Sequence, residues 1–371
     1  MLDLFSYVVK DENLHNDFKA IINDEEIKRV LYEWVDGFKD RDGKFVKEFQ
    51  TTFNSAFWEL YCFAVFKKLN LNINFNYSTP DFVLDKQKCK FNVECVIANN
   101  AKDKLEESDY FGKLYDNSSL EEKVHNQTLR ILNSIHSKNE KYKKTYSKFN
   151  FVNENPFVLA LAPFDQPRVM DVALEAIHMV LYGINYDKKK LRELKVLSVK
   201  KNKNIDLELG IFTNPTYENI SAIMFSNVAT IGKVRGMSNS SNCIFFQRRF
   251  NKYSNKSKIC INYRLNNSNY LEKKEMLFWV KKFVKDADDS FDYRIFTKNN
   301  PFSSEGYKET LVDGLHIFIN PFSKNKLNDE IINIFINAGI KVTTYDIENK
   351  EIIDLNKIDG YLIQRFVARL K

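Results

Sequence analysis

FNSAFWELYCFAVFKKLNLNINFNYSTPDFVLDKQKCKFNVECVIA, residues 53–98, is the stretch on which the reading of the whole chain turns. It opens with Phe53, Phe57, Leu60 and Ala64 at i, i+4, i+7 and i+11, a core-facing helical stripe within a helix expected over 47–69. One acid, Glu59, stands beside that stripe between Trp58 and Tyr61, where a carboxylate is costly to desolvate unless something satisfies it. Leu71, Ile73, Phe75 and Tyr77 then alternate with Asn72, Asn74 and Asn76, the pattern of a half-buried strand. Pro80 fixes a bend, Asp81 opens the short strand FVL, residues 85–88 make a hairpin turn, and KFNVECVIA is the partner strand. On that partner Asn92, Glu94 and Val96 share one face, and Phe91, Val93, Cys95 and Ile97 the other. Charges are nearly absent from strand cores unless paired or metal-bound, so Glu94 is the most informative residue in the chain.

Upstream, LHNDFKAIINDEEIKRVLYEWVDGF has helical spacing and alternating charge, a solvated helical preamble over 1–47. Downstream, the polar residues 99–118 read as a long loop that suits a cover over a site. A long helix follows over 119–146, with Ser119 and Glu122 spaced as a capping box. Its apolar side is Leu120, Val124, Ile131, Leu132 and Ile135, and its polar side carries Arg130, Ser134 and Lys138. PFVLALAP at 156–163 has the length and continuity of a buried central strand. DQPRVMDVALEAIHMVLYG is a further amphipathic helix stopped by Gly183. Helix, three strands, helix and strand in that order predict a mixed sheet flanked by helices. Further strands are expected at DLELGIF, ISAIMFS and CIFFQRRF, then a polar link at 251–258, a helix over 272–289 and the strand LHIFINP. A helix, the strand pair KVTTYDI and KEIIDL, and YLIQRFVARL close the chain. The expected division is 1–47, a core over 48–250 with elaborations, and an α+β region over 251–371 that is either a small second domain or an elaboration of the first.

The 371 residues suffice for a substantial core, and 44% hydrophobic with 28% charged residues exclude a disordered chain. A net charge of +7 suits a polyanionic partner, although a chain so rich in Lys, Asn, Ile and Phe takes part of that charge from an AT-rich coding bias. Five scattered cysteines and five scattered histidines show neither CxxC nor zinc-ligand spacing, which points to reduced thiols. No stretch approaches the ~20 apolar residues of a membrane span, and the N-terminus lacks the pattern of a secretory signal, so a soluble cytoplasmic protein without membrane contact is expected.

Phosphodiester hydrolysis needs neutralised non-bridging oxygens and an activated water, work that Mg²⁺ performs with hard oxygen ligands. Asp81 and Glu94 across a hairpin would supply two ligands and the Cys95 carbonyl a third, with Glu59 binding a second ion or a metal-bound water. The helix with Glu59, then Pro80-Asp81, Glu94 in a strand and a long helix resembles the PD-(D/E)xK nuclease superfamily, over about 50–163. FQTTFNSAFWELYCFAVF, PDFVL, NISAIMFSN and GLHIFINP are more closely similar to an uncharacterised bacterial branch of nucleases. The resemblance implies a restriction-endonuclease-like core, with Asp81, Glu94 and Glu59 on Mg²⁺, or Mn²⁺ in its place. It also implies a nucleic-acid substrate, DNA rather than RNA, and a setting in restriction or phage defence, with a homodimer or a defence-system protein as partner.

The superfamily's motif lysine is Val96 here. The cation has therefore moved to another element, with Lys138 and Arg130 on the long helix as candidates, or the site is not catalytic. Lys90 shares the face of Glu94 but stands about 13 Å along the strand. Gln127 and Ser134 are candidate phosphate contacts on the same helix. SNVATIGKVRGMSNSSN at 226–242 is read as a loop whose Lys233 and Arg235 grip a phosphate backbone, and KKKLRELKVLSVKKNK at 188–203 as a source of salt-sensitive affinity. The alternative to a nuclease is a nucleic-acid-binding or assembly module whose chemistry was lost with the lysine, or a defence protein that acts only in a complex.

Overall fold

The computed structural model describes residues 2–98, 119–164, 169–187, 192–239, 243–251, 256–264, 302–303, 309–358 and 361–369. Helices α1 (Asn16–Ile21), α2 (Glu25–Val35), α3 (Phe45–Thr51) and α4 (Phe53–Lys68) lead into strands β1 (Asn72–Ile73), β2 (Phe82–Lys86) and β3 (Cys89–Ile97). Helix α5 (Leu120–Lys144), the short α6 (Asn150–Asn153), β4 (Phe157–Ala162) and α7 (Val169–Tyr182) follow. Two hairpins come next, β5 (Ile184–Asp187) with β6 (Arg192–Lys195) and β7 (Ser198–Asn202) with β8 (Ile205–Glu208). The chain continues through β9 (Ala222–Phe225), α8 (Ile231–Met237), β10 (Cys243–Asn251), β11 (Lys256–Arg264) and β12 (Phe302–Ser303). It closes with β13 (His316–Ile319), α9 (Asp329–Asn337), β14 (Lys341–Asp346), β15 (Glu351–Asp354) and β16 (Leu362–Arg369).

Eight strands form one mixed sheet in the order β1-β2-β3-β4-β9-β13-β14-β15. β3, β4 and β9 run parallel, while β2 and β13 are antiparallel to their inner neighbours. β4 is buried along its whole length, as its unbroken apolar sequence predicts. Its side chains divide by the two-residue period. Val158, Ala160 and Ala162 join the core under α4, and Phe157, Leu159 and Leu161 the core under α5 and α7. Trp58 of α4 donates its indole N–H to the Ala160 carbonyl at 2.9 Å, tying that helix to the sheet.

The capping box of α5 forms as expected, with Ser119 Oγ accepting from the Glu122 amide and Glu122 accepting from the Ser119 amide. Leu120, expected on the apolar side, is instead 48% exposed at the first turn, while Val124, Ile131, Leu132 and Ile135 are buried. The helix expected over 47–69 is two helices, because Thr52 leaves the helical basin at φ −119°, ψ 49°. The strand expected over 71–77 pairs only at Asn72–Ile73. Beyond it the Asn76 amide donates to the Asn74 side chain, a local turn that outcompetes the ladder. The β2–β3 turn places Gln87 and Lys88 at positive φ, a primed hairpin turn made without its usual Asn-Gly.

β13, β14 and β15, from the region after residue 250, extend the same sheet that begins with β1. β10, β11, β12 and β16 form a separate four-stranded sheet. The stretch read as a loop at 226–242 contains helix α8, and the expected polar link at 251–258 is partly strand. The cover loop at 99–118, the start of the helix at Pro167 and the helix over 272–289 lie outside the described residues. Cys62, Cys89, Cys95 and Cys243 are free thiols. Among the described residues no helix is long and apolar enough to cross a membrane.

Leu161→Ala, in the fully buried β4, should cost about 3 kcal/mol. Leu120→Ala should change stability by less than about 0.5 kcal/mol. Urea denaturation followed by far-UV circular dichroism separates the two, and equal losses would contradict this placement of the core.

Candidate functional site

Glu94 stands mid-strand in β3, 2% exposed, on the face that α5 covers. Its carboxylate is fully engaged. Lys138 Nζ lies 2.7 Å from Oε1, Lys141 Nζ 2.9 Å from the same oxygen, and the Tyr146 hydroxyl donates to Oε2 at 2.8 Å. Tyr146 in turn accepts from Thr79 Oγ1 at 3.1 Å, and the Lys141 ammonium sits 4.7 Å from the centre of its ring. Burial works against ionisation of Glu94, but the two ammonium groups prevail and its pKa is lowered. Tyr146 is pushed the other way, by burial and then by the Glu94 charge.

Asp81 comes immediately before β2, whose first residue Phe82 pairs with Val93. Its Oδ2 accepts the Cys95 amide at 2.6 Å. The amides of Asn92 and Ala98 donate to carbonyls on the β4 side. Cys95, at odd spacing from them, therefore turns its amide and carbonyl toward Asp81, past the end of the β2 ladder. Burial and then the neighbouring Glu94 charge push Asp81 up to about 6, against the Cys95 hydrogen bond and the charges of Lys138 and Arg41.

Glu59 approaches from α4, on the opposite face from Glu94, beside Cys62 and Cys95. Burial and then Asp81 push its carboxyl up to about 8. Asp81 is thus the middle member of a row, in contact with the field of both glutamates. The sheet between Glu59 and Glu94 keeps the three from forming one cage. Among the described residues no group of three or more His, Cys, Asp and Glu side chains is placed to hold an ion on its own. A cation held by Asp81 and the Cys95 carbonyl would have to displace Lys138, Lys141 or Tyr146 to reach a Glu94 oxygen.

Of the two relocated cations expected on α5, Lys138 reaches Glu94. Arg130 does not: it is half-buried, eight residues or about 12 Å earlier on the helix, and pairs with none of the three acids. Ser134, between them, is half-buried and contacts none of the three. Lys90 is exposed, away from the site. Two expected nucleic-acid contacts, Gln127 and Lys233, are corrected. Gln127 is 0% exposed on the Val124 and Ile131 face of α5, and a residue without surface cannot touch a phosphate. Lys233 is also 0% exposed, 2.7 Å from Glu309, and donates to the carbonyls of Thr310 and Asp313. Glu309 is shared with the buried Arg365, so Lys233 neutralises an internal acid. Arg235 is half-buried and has its own interaction within the fold. In the basic insertion, Lys200, Lys201 and Lys203 are exposed on a hairpin whose Val199 enters the core under α5.

Three residues of the site escaped the sequence reading. Lys141 and Tyr146 lie at three and eight positions beyond Lys138, and the one-turn spacing of the lysines was the available signal. Arg41 was missed as well; its Nη1 donates to the Tyr77 carbonyl at 2.6 Å, and its charge bears on both Asp81 and Glu59. Comparison of the chain with family models, curated proteins and solved structures finds no match.

Glu59 and Asp81 bind protons more tightly in the folded chain than their ordinary values of 4.5 and 3.8. The stability they contribute is complete below those ordinary values and is lost as pH rises through about 6 and then about 8. Glu59→Gln should therefore flatten the fall in Tm between pH 5 and pH 9, two pH values that bracket the Glu59 value of about 8. Differential scanning fluorimetry without divalent metal checks this, and a Tm difference that does not grow with pH would contradict the burial of Glu59.

Proposed function

We propose that the chain is a metal-dependent nuclease that hydrolyses phosphodiester bonds, with DNA as the favoured substrate, on a restriction-endonuclease-like core. The observation that carries this reading is the 2.7 Å pair between Lys138 and Glu94. It supplies from α5 the cation that Val96 does not provide in β3. The element order α4, β1, β2, β3, α5 and β4 agrees with the helix, three strands, helix and strand read from the sequence.

Asp81 and Glu94, with the Cys95 carbonyl, would hold a Mg²⁺ ion, or Mn²⁺ in its place. When bound, the ion supplies charge neutralisation on the phosphate and a more acidic water. Lys138 and Lys141, released in part from Glu94, would stabilise charge on the non-bridging oxygens as it develops. Tyr146 fixes Glu94 Oε2, and its bond to Thr79 anchors the turn that presents Asp81. Glu59 stands behind Asp81, its carboxyl held toward the protonated form by burial and then by the Asp81 charge.

Glu94→Gln or Asp81→Asn should abolish Mg²⁺-dependent nicking of plasmid DNA and cutting of linear DNA while the fold is retained. Lys138→Met should lower kcat about 100-fold or more. Full cleavage by a folded Glu94→Gln protein would remove the site from consideration. One observation favours a second reading: both oxygens of Glu94 are already occupied by side chains, as suits a structural pin in a nucleic-acid-binding module. That module would bind with a steep salt dependence and cut nothing with any divalent metal.

A further inference from the structure

Beside the acids lies a stair of aromatic rings that the proposed chemistry does not use, with its middle ring, Phe151, packed against the core under α5 and α7. The Tyr77 and Phe151 rings stack with centroids 3.9 Å apart and planes 24° apart. Phe149 joins Phe151 at 5.7 Å and 33° and is 38% exposed. The stair is held close to the site at both ends. Tyr77 precedes Asp81 by four residues and is anchored through its carbonyl by Arg41. Phe149 follows Tyr146, which binds Glu94, by three.

The segment that reaches the stair is basic. Residues 137–148, SKNEKYKKTYSK, contain five lysines and one acid. Lys141, Lys143, Lys144 and Lys148 are exposed, with Lys143 2.9 Å from Glu140. An exposed ring, Phe149, next to a row of ammonium groups offers the two things a single strand requires: counter-charge for phosphates and a flat apolar face for an unpaired base. A duplex satisfies only the first, because its base faces are stacked inside.

We infer that this surface takes a single-stranded nucleic acid, its backbone along Lys144 and Lys148 toward the acids and an unpaired base on Phe149. The inference rests on the nuclease reading for what is cut, but not for what is bound. The test uses the full chain in EDTA, with fluorescence anisotropy on a labelled oligodeoxythymidylate, the matching oligouridylate and a blunt DNA duplex. Both single strands should bind more tightly than the duplex, and the better of the two identifies DNA or RNA as the ligand. Phe149→Ala should weaken single-strand binding about ten-fold with an unchanged salt slope, and Phe149→Tyr should restore it. Lys144→Ala combined with Lys148→Ala should lower the salt slope. Duplex binding as tight as single-strand binding, or a Phe149→Ala protein that binds like the wild type, overturns the inference. Mg²⁺-dependent cutting of duplex without any single-strand preference sinks this inference and leaves the nuclease reading standing. Single-strand binding without cutting does the reverse.

Discussion

The Glu94 carboxylate is buried in β3 under helix α5 and is the charge around which this region is arranged. A lone carboxylate there would be expelled or protonated, so its presence demands donors from outside the strand. They come from one stretch, the end of α5 and the turn after it: Lys138 and Lys141 on one oxygen and Tyr146 on the other. That requirement fixes where α5 lies over the sheet. It also brings Thr79 to Tyr146, and with Thr79 the turn that delivers Asp81.

From this pin the electrostatics of the neighbourhood follow. Glu94 is paired and its pKa falls; Asp81 and Glu59 rise, each first through burial and then through the acid beside it. In the proposed chemistry the two ammonium groups beside Glu94 would meet a phosphate and Asp81 a cation.

A second buried charge group has a different role. Lys233, Glu309 and Arg365 join α8, the chain at 309–313 and β16, with no surface of their own. Gly232 sits against the Arg365 guanidinium, where an added Cβ would lie 2.9 Å from Nε. This cluster is a fastening between the last strand and the body of the protein. It shows why a lysine in a glycine-containing segment is not by itself a phosphate contact.

The sequence by itself determined the periodic elements. The unbroken apolar run of β4, the capping box of Ser119 and Glu122, and the isolated acid in β3 each have a local cause, and each is where the pattern put it. Local signals failed where a competing local bond or a distant partner decided the outcome. Asn74 turned the chain out of an alternating strand pattern, and Thr52 broke a continuous helical one. Lys233 and Gln127 read as exposed polar residues because the groups that bury them are remote in sequence; Glu309 is 76 residues from Lys233. The acids were legible because a charge in a strand is anomalous on local grounds alone. Which lysines of α5 would meet Glu94, and that Glu59 would face Asp81 from the far side of the sheet, depended on how helices and sheet pack. Only the tertiary structure decided that.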